Sequence, residues 1–218
     1  MASEALLAAV REDDRAAVSR LLAAGADPNS PVAGRQLASE KAFQTTALIA
    51  AAVNGRLEAA RLLLEGGTDP NRVNSNGFTP LMVAAENGHV EVLRLLLARG
   101  AAADALAPAD NFTAFHMACF HNHPDCAEAL LRAGCDTAII ETRTGNTAEQ
   151  YAEGKGNKAV LRRLRGLARQ PFVGVVVELA GLVGAAEHNG KRATVRPRFC
   201  YSPAYLEPLA LFCLSLAA

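Results

Sequence analysis

The sequence predicts an all-α solenoid of about five helix-turn-helix units with β-hairpin fingers between them and a short β-prone C-terminal appendix. Three observations predict it. A phrase returns at a fixed period: its opening threonines, Thr46, Thr79, Thr113 and Thr147, step by 33, 34 and 34 residues, and its closing glycines, Gly67, Gly100 and Gly134, by 33 and 34. Periods of this length mark stacked supersecondary units that present one long surface. Half of the 218 residues are apolar, only 5% are aromatic and Trp is absent, which suits thin helices rich in Ala and Leu. Finally, two positions per unit are reserved for residues that tolerate positive φ, at Gly55, Gly88, Asn122 and Gly156 in the turn and at Gly77, Asn111 and Gly145 in the finger.

The unit beginning at Gly77 justifies its elements most fully. Thr79 can cap the orphan N–H groups of a helix, and Pro80 at the first helical position sacrifices no hydrogen bond. Leu81, Ala84 and Ala85 give this inner helix a small apolar face that lets it lie close to its neighbours. Gly88 ends it in a left-handed conformation. A second, outer helix follows from about Val90 to Ala98, with Val92, Leu93, Leu96 and Leu97 at helical spacing, and Gly100 ends it.

These residues closely resemble the ankyrin repeat, whose phrase is a Gly-x-Thr-Pro-Leu-His start, a Gly-His turn and a leucine-rich second helix ending in Gly-Ala-Asp. Gly77, Thr79, Pro80, Leu81, Gly88, His89, Leu95, Leu96, Leu97 and Gly100 match it, and His116 supplies the histidine of the start phrase where the earlier units have Ile49 and Met82. The resemblance covers about residues 3–170, in units of about 3–43, 44–76, 77–110, 111–144 and 145–170. The first unit lacks the Thr-Pro start but keeps LLAAGADPN from Leu21 to Asn29. The step from Gly25 to Gly67 is 42 residues, so the first finger is enlarged around Ser30–Gln44, where Arg35, Glu40, Lys41 and Phe43 sit, and it is expected to be mobile. The last unit carries Lys158, Arg162, Arg163 and Arg165 in its outer helix, as a polar end cap should.

The resemblance implies a non-catalytic scaffold that binds a partner protein on the concave face of the inner helices and the finger tips. By position in the phrase, Thr45, Phe78, Phe112 and Asn146 point to that face, as do Val53 and Asn54, Glu86 and Asn87, and Phe120 and His121. Phe78, Phe112 and Phe120 are expected to form an exposed apolar strip across units three and four, and clustered exposed aromatics are typical anchors. The candidate partner-binding residues are therefore Phe78, Phe112, Phe120, His121, Glu86 and Asn87. The opposing reading is that the rings merely cover finger backbone and one another.

Other chemistry is not expected. Cys119, His121, His123 and Cys126 lie close in sequence, yet the repeat assigns both cysteines to the apolar core and His123 to the turn, so no metal and no cofactor are expected. There is no Gly-rich phosphate loop, nucleophile elbow or His-Glu-x-x-His. The 22 basic and 22 acidic residues cancel, but residues 1–154 hold 12 basic and 19 acidic, and residues 155–198 hold 10 basic and 2 acidic. That basic shoulder leaves a nucleic-acid-associating adaptor as an alternative, disfavoured because no aromatics interleave with the charge. A second alternative is a targeting or regulatory portion of a larger protein. Five cysteines without a leader-like start fit a reducing, cytoplasmic or nuclear setting, no apolar run is long enough for a membrane span, and a monomer is expected.

After Pro171 the pattern changes. Residues 171–195 read as a partial β segment: Phe172–Leu179 is β-branched, and an Asn-Gly turn precedes a second short strand. With Gly181-Leu182 these residues weakly resemble the start of a small Src-homology or KOW-like barrel. Residues 196–218 read as an irregular apolar tail, and composition suggests the altered terminus of a longer protein.

Overall fold

The computed structural model describes residues 2–34, 43–169, 177–178 and 192–193. Ten helices alternate between two rows among these residues: α1 (Ala2–Arg11) and α2 (Arg15–Ala23), α3 (Ala47–Val53) and α4 (Leu57–Glu65), α5 (Pro80–Asn87) and α6 (Val90–Ala98), α7 (Ala114–Phe120) and α8 (Pro124–Arg132), α9 (Ala148–Lys155) and α10 (Lys158–Arg169). The odd-numbered helices pack on one another in series, the even-numbered ones do the same, and each pair packs internally. The core is the sheet of side chains between the rows. Leu48, Leu63, Leu81, Leu93, Leu96 and Leu130 are almost wholly buried there, with Ala51, Ala52, Ala60, Ala84, Ala85 and Ala118 sealing the gaps. Each leucine so buried contributes about 1.5–3 kcal/mol, and the alanines set how closely the rows approach.

All four predicted threonines cap their helices. The hydroxyls of Thr46, Thr79, Thr113 and Thr147 accept from the backbone N–H of Ile49, Met82, His116 and Gln150. His116 and Gln150 return the bond to the threonine N–H, completing capping boxes. The turn residues adopt positive φ as required, including Gly88 at 76° and Asn122 at 61°. Asp13, at 60°, holds the same place in the first unit, while Asp14 caps α2 through the Ala17 N–H.

The residue after each turn stitches the unit to the one before. His89 Nε2–H donates to the Val53 carbonyl at 3.0 Å, and His123 Nε2–H to the Glu86 carbonyl at 2.9 Å. Asn157 Nδ2 donates to the Cys119 and Phe120 carbonyls at 2.7 and 2.8 Å, and Arg56 reaches the Arg11 carbonyl at 3.4 Å. Each bond satisfies carbonyls at an inner-helix C-terminus that have no intrahelical partner. The histidines explain the glycines opposite them: a Cβ on Gly88 would lie 2.5 Å from His123 Nδ1, and one on Gly55 equally close to His89 Nδ1. Where Asn122 carries a side chain, the next unit has Asn157 instead of histidine, and Asn122 Oδ1 accepts from the Val160 N–H at 3.2 Å.

The fingers are laced along the stack. Asn29 Oδ1 accepts from the Asp69 N–H, Asn71 Oδ1 from the Ala102 N–H and Asp104 Oδ1 from the Asp136 N–H, at 3.0, 2.8 and 2.8 Å. In the enlarged first finger, β1 (Val32–Gly34) pairs antiparallel with β2 (Phe43–Thr45), Val32 opposite Thr45. Arg35, Glu40 and Lys41 lie outside the described residues, as does the expected mobility of that segment. Near the C-terminus β3 (Val177–Glu178) pairs antiparallel with β4 (Arg192–Ala193); the barrel-like resemblance and the tail otherwise fall outside the described residues. No described helix is long and apolar enough to cross a membrane.

Candidate protein-binding face

The inner helices present one face away from the outer row, and around α7 and α9 it carries a cluster of aromatic side chains. Phe112 precedes α7, Phe120 ends it, His116 lies between them, and Tyr151 enters from α9. Their rings form a single cluster: Phe112 stands 5.2 Å from His116, 6.2 Å from Phe120 and 5.3 Å from Tyr151, and Phe120 stands 5.9 Å from Tyr151. Tilted and edge-on geometries at these distances are those aromatic rings favour. His121 extends the cluster outward at 5.1 Å from Phe120 and stacks nearly parallel on His123 at 6.4 Å. Lys155 Nζ sits 4.2 Å above the Phe120 ring, a cation–π contact.

This geometry corrects the expected strip. Phe112 retains only 6% of its surface, so it is not an exposed anchor. The Tyr151 ring from the following unit, together with His116 and Phe120, covers it. Thr45, two units earlier at the same position, is buried too. Phe120 is half-buried, and His121 is exposed. Phe78 is half-buried and stands apart from the cluster, its backbone N–H fixed by Asn74 Oδ1 at 3.0 Å. Glu86 is half-buried, and Asn87 is exposed with its Nδ2 donating to the Val83 carbonyl at 2.9 Å. The six candidate residues therefore divide into a buried support, Phe112, and five with accessible surface.

Two residues that sequence reasoning did not single out hold the cluster in place. Glu141, in the last finger, is fully buried. Its Oε1 accepts from the Arg143 N–H at 2.8 Å, and its Oε2 from the Thr144 N–H at 2.9 Å, the Thr144 hydroxyl at 2.6 Å and the Tyr151 hydroxyl at 2.5 Å. Burial works to raise this carboxyl, but the bonds from Thr144, Tyr151 and the Arg143 backbone outweigh it and hold the group at about 2. A charged, saturated acceptor thus pins the Tyr151 hydroxyl and with it the floor under Phe112. Tyr151 was legible in principle: it stands four residues after Thr147, where the earlier units have Ala50, Val83 and Met117 facing the same side. Behind the rings, His116 Nδ1 accepts from the Thr113 N–H, which puts the ring proton on Nε2. Burial lowers its pKa, opposed by the nearby Asn146 backbone and the Glu141 charge.

The cysteines take their core positions. Cys119, Cys126 and Cys135 are free and buried; burial pushes Cys126 to about 11, Cys135 to about 12 and Cys119 higher still. Among the described residues no group of three or more His, Cys, Asp or Glu is placed to hold a metal ion. The basic shoulder on α10 is partly tied down, with Arg163 on Asp125 and Glu128 and Arg165 on Glu153.

Comparison with known proteins agrees with the architecture. Residues 6–107 match the family model for ankyrin repeats in three copies, and residues 110–141 match that for a single ankyrin repeat. Over 118 residues, 54% of this chain and 88% of the relative, the sequence is 37% identical to cyclin-dependent kinase 4 inhibitor B of Bos taurus.

Proposed function

This chain belongs to the ankyrin-repeat family, and from that premise we propose that it is a non-catalytic scaffold that grips a partner protein on the concave face around Phe120 and His121, with Phe78, Glu86 and Asn87 at the margin. The observation that carries this reading is the pinned aromatic cluster. Phe120 and His121 offer accessible ring surface on a support of Phe112, Tyr151 and Glu141 whose geometry is fixed before contact. Pre-organised aromatic surface loses little side-chain entropy on binding, and aromatic anchors dominate interface energetics. The likeness to an inhibitor of cyclin-dependent kinase 4 makes that kinase the first partner to test. Calorimetric titration of the kinase with the full chain and with the Phe120→Ala, His121→Ala double variant is the experiment. A tenfold or greater loss of affinity in the variant supports the reading. Undiminished affinity removes the concave face as the site, and no binding by either chain removes this kinase as the partner.

A further inference from the structure

We propose that Val73, Leu106 and Ile140 form an apolar ladder on the fingers that docks one amphipathic α-helix of a protein partner, laid along the solenoid axis. That helix carries apolar residues at i, i+7 and i+14 and acidic residues beside the first and last of them. The proposal rests on the reading of the chain as a protein-binding scaffold and names the kind of segment it takes.

Four large apolar side chains are exposed among the described residues, and three of them are these, at 48%, 49% and 53%. Single exposed apolar residues need no explanation; three at one structural position do. Their equivalence is visible in the backbone. The residue after each, Asn74, Ala107 or Glu141, donates its N–H to the carbonyl of the residue preceding the capping threonine, Phe78, Phe112 or Asn146. The rungs are therefore repeated once per unit, pointing from the same place on successive fingers.

Their spacing selects the partner's secondary structure. Packed helical layers lie about 8–10 Å apart, so the rungs rise by about that much per unit. At the upper end of that range the step matches an α-helix, which advances about 10.5 Å in seven residues and returns to nearly the same face. A β-strand repeats a face about every 6.8 Å, about 3 Å short of that step at each rung. Charge selects the flanks. Arg72, beside the first rung, is exposed, and among the described residues its charge reaches only the fully solvated Asp27 carboxylate, with no side-chain bond to it. Arg143, beside the last, keeps 76% of its side-chain surface, and its one ion-pair partner, Glu141, is already saturated by four shorter hydrogen bonds. Cations at both ends of an apolar line favour carboxylates at both ends of its occupant.

The test is selection of 21-residue peptides from a displayed random library on the full chain, followed by anisotropy titration of the enriched peptides. The expected peptides are helix-forming, carry the heptad-spaced apolar triad with acidic flanks, and lose at least tenfold affinity for a Val73→Asp, Leu106→Asp, Ile140→Asp variant whose circular dichroism is unchanged. They retain affinity for Phe120→Ala, His121→Ala, which separates failure of the ladder from failure of the concave-face reading. Enrichment of strand-patterned peptides, binding untouched by the triple variant, or no enrichment at all overturns the proposal.

Discussion

Replacing Gly88 by alanine tests how the units are joined. Gly88 has φ of 76°, where an L side chain costs about 1–2 kcal/mol, partly offset by the roughly 0.4–1 kcal/mol that alanine removes from unfolded-chain entropy. The new Cβ would also lie 2.5 Å from His123 Nδ1. The ring must then move, and its 2.9 Å bond to the Glu86 carbonyl is lost, leaving a half-buried group unpaired at a cost of about 1–3 kcal/mol. The sum is about 2–4 kcal/mol. Gly156 is the control: its φ is 71°, but a Cβ there meets nothing within 4 Å, so Gly156→Ala should cost only the strain, about 1 kcal/mol. Urea titration followed by far-UV circular dichroism measures both, and a double-mutant cycle with His123→Asn isolates the clash. The His123→Asn change should recover most of the excess in Gly88→Ala, because the protein itself places Asn157 opposite Asn122. Equal losses for the two glycine variants, or no recovery in the double variant, would refute the account of the turn.

Other outcomes follow from the caps, the cluster and the buried acid. Thr79→Ala and Thr113→Ala should each lower stability by about 1–2 kcal/mol in the same urea assay. Phe112→Ala should cost about 3–5 kcal/mol as a core truncation, whereas Phe120→Ala, half-buried, should cost about 1–2 kcal/mol; similar losses would contradict the division into support and anchor. Glu141 is held below its ordinary carboxylate value, so its stabilisation is complete above about pH 4.5 and drains away as pH falls toward about 2. Glu141→Gln should be less stable at neutral pH and lack that contribution to acid sensitivity, checked by urea midpoints across the window. Cys119, Cys126 and Cys135 should resist thiol labelling at pH 8 until denaturant is added, read by mass spectrometry of peptides.

The helical stack was legible because its demands fall on single residues at fixed intervals. A threonine cap, a glycine or asparagine at positive φ and a run of leucines each announce themselves one position at a time, and Thr46, Thr79, Thr113 and Thr147 all cap as read. The binding face was only half legible because exposure there depends on the next unit. Phe112 and Phe78 occupy the same place in the phrase, yet Phe112 is covered because Tyr151 follows it 39 positions on, in the next unit. Glu141 was invisible for a related reason: an acidic residue in a polar finger reads as surface until four donors converge on it. The finger ladder escaped notice because Val73, Leu106 and Ile140 share a position but no residue type.

Hydrogen–deuterium exchange of the full chain, free and bound to its partner, tests the central claim most directly, with cyclin-dependent kinase 4 as the first partner used. The account predicts added protection in peptides spanning Phe78, Glu86–Asn87 and Phe120–His121, with the outer helices α4 and α6 unchanged. Protection confined to those outer helices, with the Phe120–His121 peptide unaltered in a saturated complex, would contradict it.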